Sequence, residues 1–340
     1  MLFFWRSPES CGDNGGVGGT GTAELEEIIR EEVSRDRCIS FARFMELALY
    51  HPRLGYYRQS SNPLGTFGDF YTAEQLQPVF GQLVASFASR VAPWAGEERF
   101  QIVELGAGRG ELRDSLPEWR YLGCDWRGDP LPASCSGLVI ANEFFDALPV
   151  RVLRRGSDGW SELVVTWGDG AFAFEERPQV SPDMLAYADK YGEAIPAGGL
   201  LEVNFGIETW LERIATVLSG GSVLIIDYGY SARELVRFPR GTLMSYHRHV
   251  GDTEVLLHPG TRDITAHVNF SHLKDEAVRN TFEIVSEESL ASWVLSVWKE
   301  HDLARRWEAG DERWRLQWKS IAIGMGEVFR VVTLRKVSGK

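Results

Sequence analysis

Short apolar runs and helical stripes alternate along the chain, and their order predicts an α/β architecture. Ile102 to Leu105, Tyr121 to Asp125, Gly137 to Ala141 and Ser222 to Gly229 have the length and composition of buried strands. Phe282 to Ser286 starts a further strand, and Glu327 to Leu334 forms the last. Between these runs, Leu25, Ile28, Ile29 and Val33 share one helical face over Thr22 to about Arg35. Ser40 has the chemistry of an N-cap for a helix over Phe41 to Tyr50, which stops before His51-Pro52. Helices are also predicted over 72–92 and 287–307. From Gly206, the stripe Ile207, Trp210, Leu211, Ile214, Ala215 and Leu218 predicts another, closed by Gly220-Gly221.

Residues 150–177 change period. Val150-Arg-Val-Leu, Trp160-Ser-Glu-Leu-Val-Val-Thr-Trp and Ala171-Phe-Ala-Phe alternate or run apolar, separated by Ser-Asp-Gly and Gly-Asp-Gly turns. That is an antiparallel meander. Residues 238–272 hold five of the seven histidines and few clear elements, which predicts a lid or substrate loop. The fold class is therefore α/β: a doubly wound, mostly parallel Rossmann-like sheet with an antiparallel β-meander insertion and helical and lid additions. The chain divides into a disordered Gly-rich tail (1–21) and an N-terminal helical region with a covering loop (22–100). The core takes 101–149, 200–237 and 278–336; the β insertion takes 150–199 and the lid 238–277.

Composition narrows the class only slightly. With 44% hydrophobic and 25% charged residues, 340 residues suffice for a large buried core. A net charge of −12 argues against nucleic acid and suits a cationic partner. The four cysteines (Cys11, Cys38, Cys124, Cys135) show no C-x-x-C pair, which predicts reduced thiols and a cytoplasmic protein. No apolar run approaches the ~20 residues that span a membrane. The histidines His247, His249, His258, His267 and His272 lack the i, i+4 pairing of a metal site, which predicts surface or lid roles and no metal.

The candidate chemistry starts at Val103-Glu-Leu-Gly-Ala-Gly-Arg-Gly-Glu, where a buried strand turns through alternating glycines into a helix. A dinucleotide fingerprint needs its third glycine three residues after the second; Glu111 stands there instead. Glu104 adds a second acid, and this acidic collar would repel a pyrophosphate. A cationic sulfonium carrying an amino-acid tail would not be repelled, so the pattern favours S-adenosylmethionine (SAM). Asp125, 21 residues after Glu104, reads either as a ligand for ribose hydroxyls or as a surface acid. Asp69, in a Gly-Asp-Phe loop, reads either as part of a cover over the ligand or as a loop cap. Asn142-Glu-Phe-Phe-Asp-Ala-Leu-Pro149 places two carboxylates, an amide and two rings just past a buried strand, where open α/β sheets bind ligands. The cofactor set is Asp69, Glu104, Gly106, Ala107, Gly108, Gly110, Asp125 and Asn142.

Together with 68–81, 227–230, 258–270 and 325–329, the stretches V-E-L-G-A-G-R-G-E-L and A-N-E-F-F-D-A-L-P-V resemble the MidA-like SAM-dependent methyltransferase family over roughly residues 22–335. Resemblance implies SAM as cofactor, a protein substrate such as a respiratory-complex-like subunit, and arginine N-methylation. For an arginine acceptor, Glu143 and Asp146 are the catalytic candidates, because paired carboxylates orient a guanidinium and localise its charge. Their spacing places both on one side if the loop turns as a helix start; alternatively Asp146 caps the turn and Glu143 alone faces the ligand. Two departures stand out: only 30 residues (111–140) separate the glycine turn from A-N-E-F-F-D, and Asn269 stands where the family usually has an acid. They leave open a second reading, a methyltransferase-fold scaffold or assembly protein that binds a partner without turnover.

Overall fold

The computed structural model describes residues 19–58, 76–95, 100–125, 130–247, 250–298 and 300–337. Its principal sheet has seven strands, six of them in the order Phe282–Ser289, Phe329–Lys336, Leu218–Tyr230, Cys135–Asn142, Phe100–Leu105 and Arg120–Cys124. The last four are parallel, and the first two add antiparallel at one edge. Val268–Asn269, the seventh, pairs with the end of Leu218–Tyr230. The apolar runs are continuous because both faces of this sheet are covered. Ile102, Leu138, Ile140, Leu224 and Ile226 pack against the helices Val79–Val91 and Leu290–Val297. Val103, Leu105, Val139, Ala141, Val223 and Ile225 pack against Gly206–Val217 and Phe270–Arg279.

A second, antiparallel sheet runs Ile39–Ser40, Trp160–Gly168, Arg151–Arg155 and Leu200–Val203, with Ala171–Arg177 also on Trp160–Gly168. At one tip Asp169 (φ 51) and Gly170 (φ 78) are both left-handed, as a two-residue hairpin turn requires. The helices Gly19–Asp36 and Phe41–Tyr50 pack their apolar faces on this sheet through Leu25, Ile29, Phe41 and Phe44 against Val152, Leu163 and Val165. Ser40 is the expected N-cap, its hydroxyl accepting from the Arg43 N–H at 3.2 Å. Ser40→Ala is expected to lower unfolding free energy by about 1 kcal/mol, read from the urea midpoint at unchanged slope. No shift in midpoint would show that the cap adds nothing here.

Several expected boundaries moved. The first helix begins at Gly19, not Thr22. The 72–92 helix begins only at Val79, because Pro78 disfavours helical backbone at Gln77. The helix expected from Glu287 starts at Leu290, since Glu287 and Glu288 still pair with Val332 and Val331. Ser289 caps it, and after Val297 a new helix runs Glu300–Ala309. Gly220-Gly221 lies inside a strand instead of closing a helix. The 150–199 stretch also contains the helix Pro182–Tyr191. The 238–277 stretch carries more structure than expected: Met244–His247, Val250–Asp252 and Asp263–Thr265 form an antiparallel sheet, followed by Phe270–Arg279. Among the described residues no helix is long and apolar enough to cross a membrane.

Candidate active site

The C-terminal ends of the four parallel strands share one edge, and the candidate residues collect there. After Leu105 the chain turns through Gly106 (φ 70), Gly108 (φ 52) and Gly110 (φ 76), left-handed conformations that side chains resist. The turn is pinned: the Gly106 N–H donates to the Cys124 carbonyl at 2.8 Å, and the Gly110 N–H to that of Ala107 at 2.7 Å. Ala107 is buried against Gly123, where a Cβ would come within 2.8 Å of its own. Among the described residues, a Cβ at Gly110 would meet nothing within 4 Å, so none of them crowds the turn on that side. Glu104 is fully buried and accepts a hydrogen bond from the Tyr121 hydroxyl. Asp125 follows the neighbouring strand directly after Cys124. Asp69 lies outside the described residues.

Asn142 ends the next strand, buried, with its amide donating to Glu143 Oε1 at 3.4 Å. Glu143 has φ 48, a strained conformation held by its N–H donating to the Ile226 carbonyl at 2.9 Å. Phe145 is core, whereas Phe144 stands edge-on to Trp210 at 4.9 Å and leans over Gly106. No helix starts at Glu143. Asp227 caps the 144–146 turn: its Oδ2 accepts from the N–H groups of Phe145 (3.0 Å) and Asp146 (3.3 Å). The Asp146 carboxylate accepts from the Tyr228 hydroxyl and from backbone N–H groups at Ala147 and Asp146, and its carbonyl from the Ala266 N–H at 2.9 Å.

Asp227 was missed as a site residue. The signal was present, since Val-Leu-Ile-Ile-Asp ends a buried run on an acid just as Ile102 to Leu105 carries Glu104. Burial pushes the Asp146 carboxyl up to about 6, with the Tyr228 hydrogen bond pulling the other way. Burial also raises Asp227 well above the carboxylate range, helped by the charges of Asp146 and Glu143. The Tyr228 phenol is raised by burial and these acids, so it stays protonated and donates.

Two of the five histidines contradict the surface or lid expectation. His267 is held neutral by burial, its pKa down to about 4, with its ring 5.2 Å from that of Tyr228. His272 is buried against Tyr187 and Tyr191 and reaches Glu208 at 3.3 Å. Asn269, standing where an acid was expected, caps the Phe270–Arg279 helix by accepting from Ser271 and His272 and donates to the Tyr187 hydroxyl at 3.0 Å.

Comparison with known proteins fits this site. A family model described as "Putative S-adenosyl-L-methionine-dependent methyltransferase" matches residues 122–286. The protein arginine methyltransferase NDUFAF7, mitochondrial, of Danio rerio is 28% identical over 301 residues, 70% of this chain and 68% of that protein. Its Homo sapiens counterpart is 28% identical over 335 residues, covering 80% and 73%. A crystal structure from Burkholderia thailandensis with S-adenosyl-homocysteine bound superimposes with a TM-score of 0.84 at 25% identity, covering 96% of this chain and 95% of that one. The fold and site define a SAM-dependent methyltransferase, with SAM as its cofactor. The chain resembles the MidA-like family of these enzymes.

Proposed function

We propose that this protein methylates an arginine side chain of a protein partner, a respiratory-complex-like subunit being the kind of partner the resemblance implies. The reading takes the parallel strands as a Rossmann-like methyltransferase core and 150–199 as its antiparallel insertion. The observation that carries it is Asp146, 4% exposed, in the loop after the strand next to that of the glycine turn and hydrogen-bonded by Tyr228. The similarity to the protein arginine methyltransferase NDUFAF7 supports the same acceptor.

The glycine turn with Glu104, Asp125 and Asn142 would hold SAM, and none of the described residues crowds the turn at Gly110. SAM supplies an electrophilic methyl group. Ionised Asp146 and Glu143 would hold a guanidinium by charge-assisted hydrogen bonds and draw its charge toward the nitrogens they contact. The attacking nitrogen sheds a proton as its bond to carbon forms. Asp146, with a pKa of about 6, can accept it near neutrality.

Calorimetric titration of S-adenosyl-homocysteine is expected to give micromolar binding to the wild type and at least tenfold weaker binding to Glu104→Gln. An unchanged melting temperature of the unliganded variant would show that its fold survives. No binding by the wild type would sink the enzyme reading. Labelling an extract with radioactive SAM, followed by acid hydrolysis, should then yield methylarginine; methyl-lysine alone would remove the arginine assignment.

A further inference from the structure

Three tyrosines and an aspartate that the methyl-transfer scheme leaves unused crowd the same edge. Tyr50, the last residue of the Phe41–Tyr50 helix, donates its hydroxyl to the Ala147 carbonyl at 2.8 Å, inside the loop that carries Glu143 and Asp146. Its ring lies 5.4 Å from that of Tyr57, inclined by 30°. The Tyr57 hydroxyl donates to Asp263 Oδ1 at 2.8 Å. Asp263 is 7% exposed, and Tyr246 is its partner in the adjacent strand. Three residues further on, the Ala266 N–H donates to the Asp146 carbonyl, which fixes the Asp263 strand against the Asp146 turn. The N-terminal helical region and the 238–277 stretch thus meet over the candidate catalytic loop.

The electrostatics agree with this placement. Burial raises the phenols of Tyr50, Tyr57 and Tyr246, and the charges of both Asp263 and Asp146 push each of them further. Asp263 thus sits against Tyr57 and opposite Tyr246, while backbone hydrogen bonds tie the Asp146 turn to the Tyr50 helix and to the Asp263 strand. A planar cation suits this wall best, because it can take carboxylates at its edges and rings on its faces.

We infer that Asp263, walled by Tyr50, Tyr57 and Tyr246, joins Asp146 and Glu143 as a third carboxylate that binds the planar guanidinium of the acceptor arginine. This rests on the arginine reading above. Asp263 holds the acceptor and takes no part in binding the cofactor. Tyr57 is a positioning residue that fixes Asp263 Oδ1 through its hydroxyl.

The test uses the full chain saturated with S-adenosyl-homocysteine, titrated with a glycine-rich peptide carrying one central arginine and with its lysine counterpart. The wild type is expected to bind the arginine peptide at least fivefold more tightly than the lysine one. Asp263→Asn should weaken the arginine peptide at least tenfold while S-adenosyl-homocysteine binds within twofold of wild type. Tyr57→Phe should weaken the peptide about threefold, and it decides the matter if Asp263→Asn fails to fold. Equal arginine-peptide binding by wild type and both variants would overturn the site and leave the arginine reading standing. Equal binding of both peptides, lost together in Asp263→Asn, would keep a cation site there but overturn its guanidinium assignment and the arginine reading. A wild type that binds neither peptide would overturn both proposals.

Discussion

Asp146→Asn is expected to abolish methyl transfer and, above pH 6, to make the folded chain more stable. In the fold the Asp146 carboxyl sits at about 6 against an ordinary value of 3.8, because burial penalises its charge. The folded state therefore holds this proton to higher pH than the unfolded chain does. As pH rises from about 4 to 6 the unfolded chain ionises first, and the native state loses stability across that window. Above it the full cost remains, on the order of 1–3 kcal/mol. Asparagine keeps an acceptor for the Tyr228 hydroxyl and carries no charge, so it removes that cost. It also relieves Asp227, whose own carboxyl is raised by burial and by the Asp146 charge. The same change removes the anion that holds the acceptor and the base that takes its proton, which should lower kcat at least ~100-fold. Urea unfolding at pH 5 and pH 7.5 provides the check: the variant should gain stability at pH 7.5 and about half as much at pH 5. A variant that is less stable at pH 7.5, or that still turns over at the wild-type rate, would contradict this account.

Gly221→Ala is expected to prevent stable folding. Gly221 has φ 117, and a Cβ built on it lies 1.9 Å from the Gly137 carbonyl oxygen. The contact is with backbone of the neighbouring parallel strand, so no side-chain rotation can relieve it. Gly137 is in the same position one strand further on, its own Cβ direction meeting the Gln101 carbonyl oxygen at 2.0 Å. Relieving the clash would require parting the three central strands of the sheet. The expected loss exceeds ~4 kcal/mol, a large fraction of the stability of a typical domain. Gly110→Ala is the matched control. Its φ of 76 is also left-handed, but its Cβ would meet none of the described residues within 4 Å, so it should cost only about 1–2 kcal/mol. Thermal melts of the two variants separate backbone strain from steric contact. Similar melting temperatures would mean that the sheet tolerates the added carbon.

What the sequence by itself determined is what local pattern encodes. Continuous apolar runs marked Ile102 to Leu105, Gly137 to Ala141 and Ser222 to Gly229 as buried strands, because a strand covered on both faces has no polar side, and the strands that form are longer at one or both ends. The Ser40 cap and the glycine turn after Leu105 were equally legible, since cap and turn chemistry are set within a few residues. Tertiary structure decided the rest. Asp227 caps the 144–146 turn from 81 residues away, which no local period predicts. Tyr50 reaches the same loop across 97 residues, and Tyr57 meets Asp263 across 206. Gly221 read as the close of a helix and Gly137 as the start of a strand; only the parallel register placed each against a neighbouring carbonyl. His267 and His272, polar enough to suggest a surface, are respectively half-buried and buried because aromatic rings from distant strands and helices close over them. A side chain's ionisation and its partners depend on which distant segments exclude water around it, and only the folded chain specifies those segments.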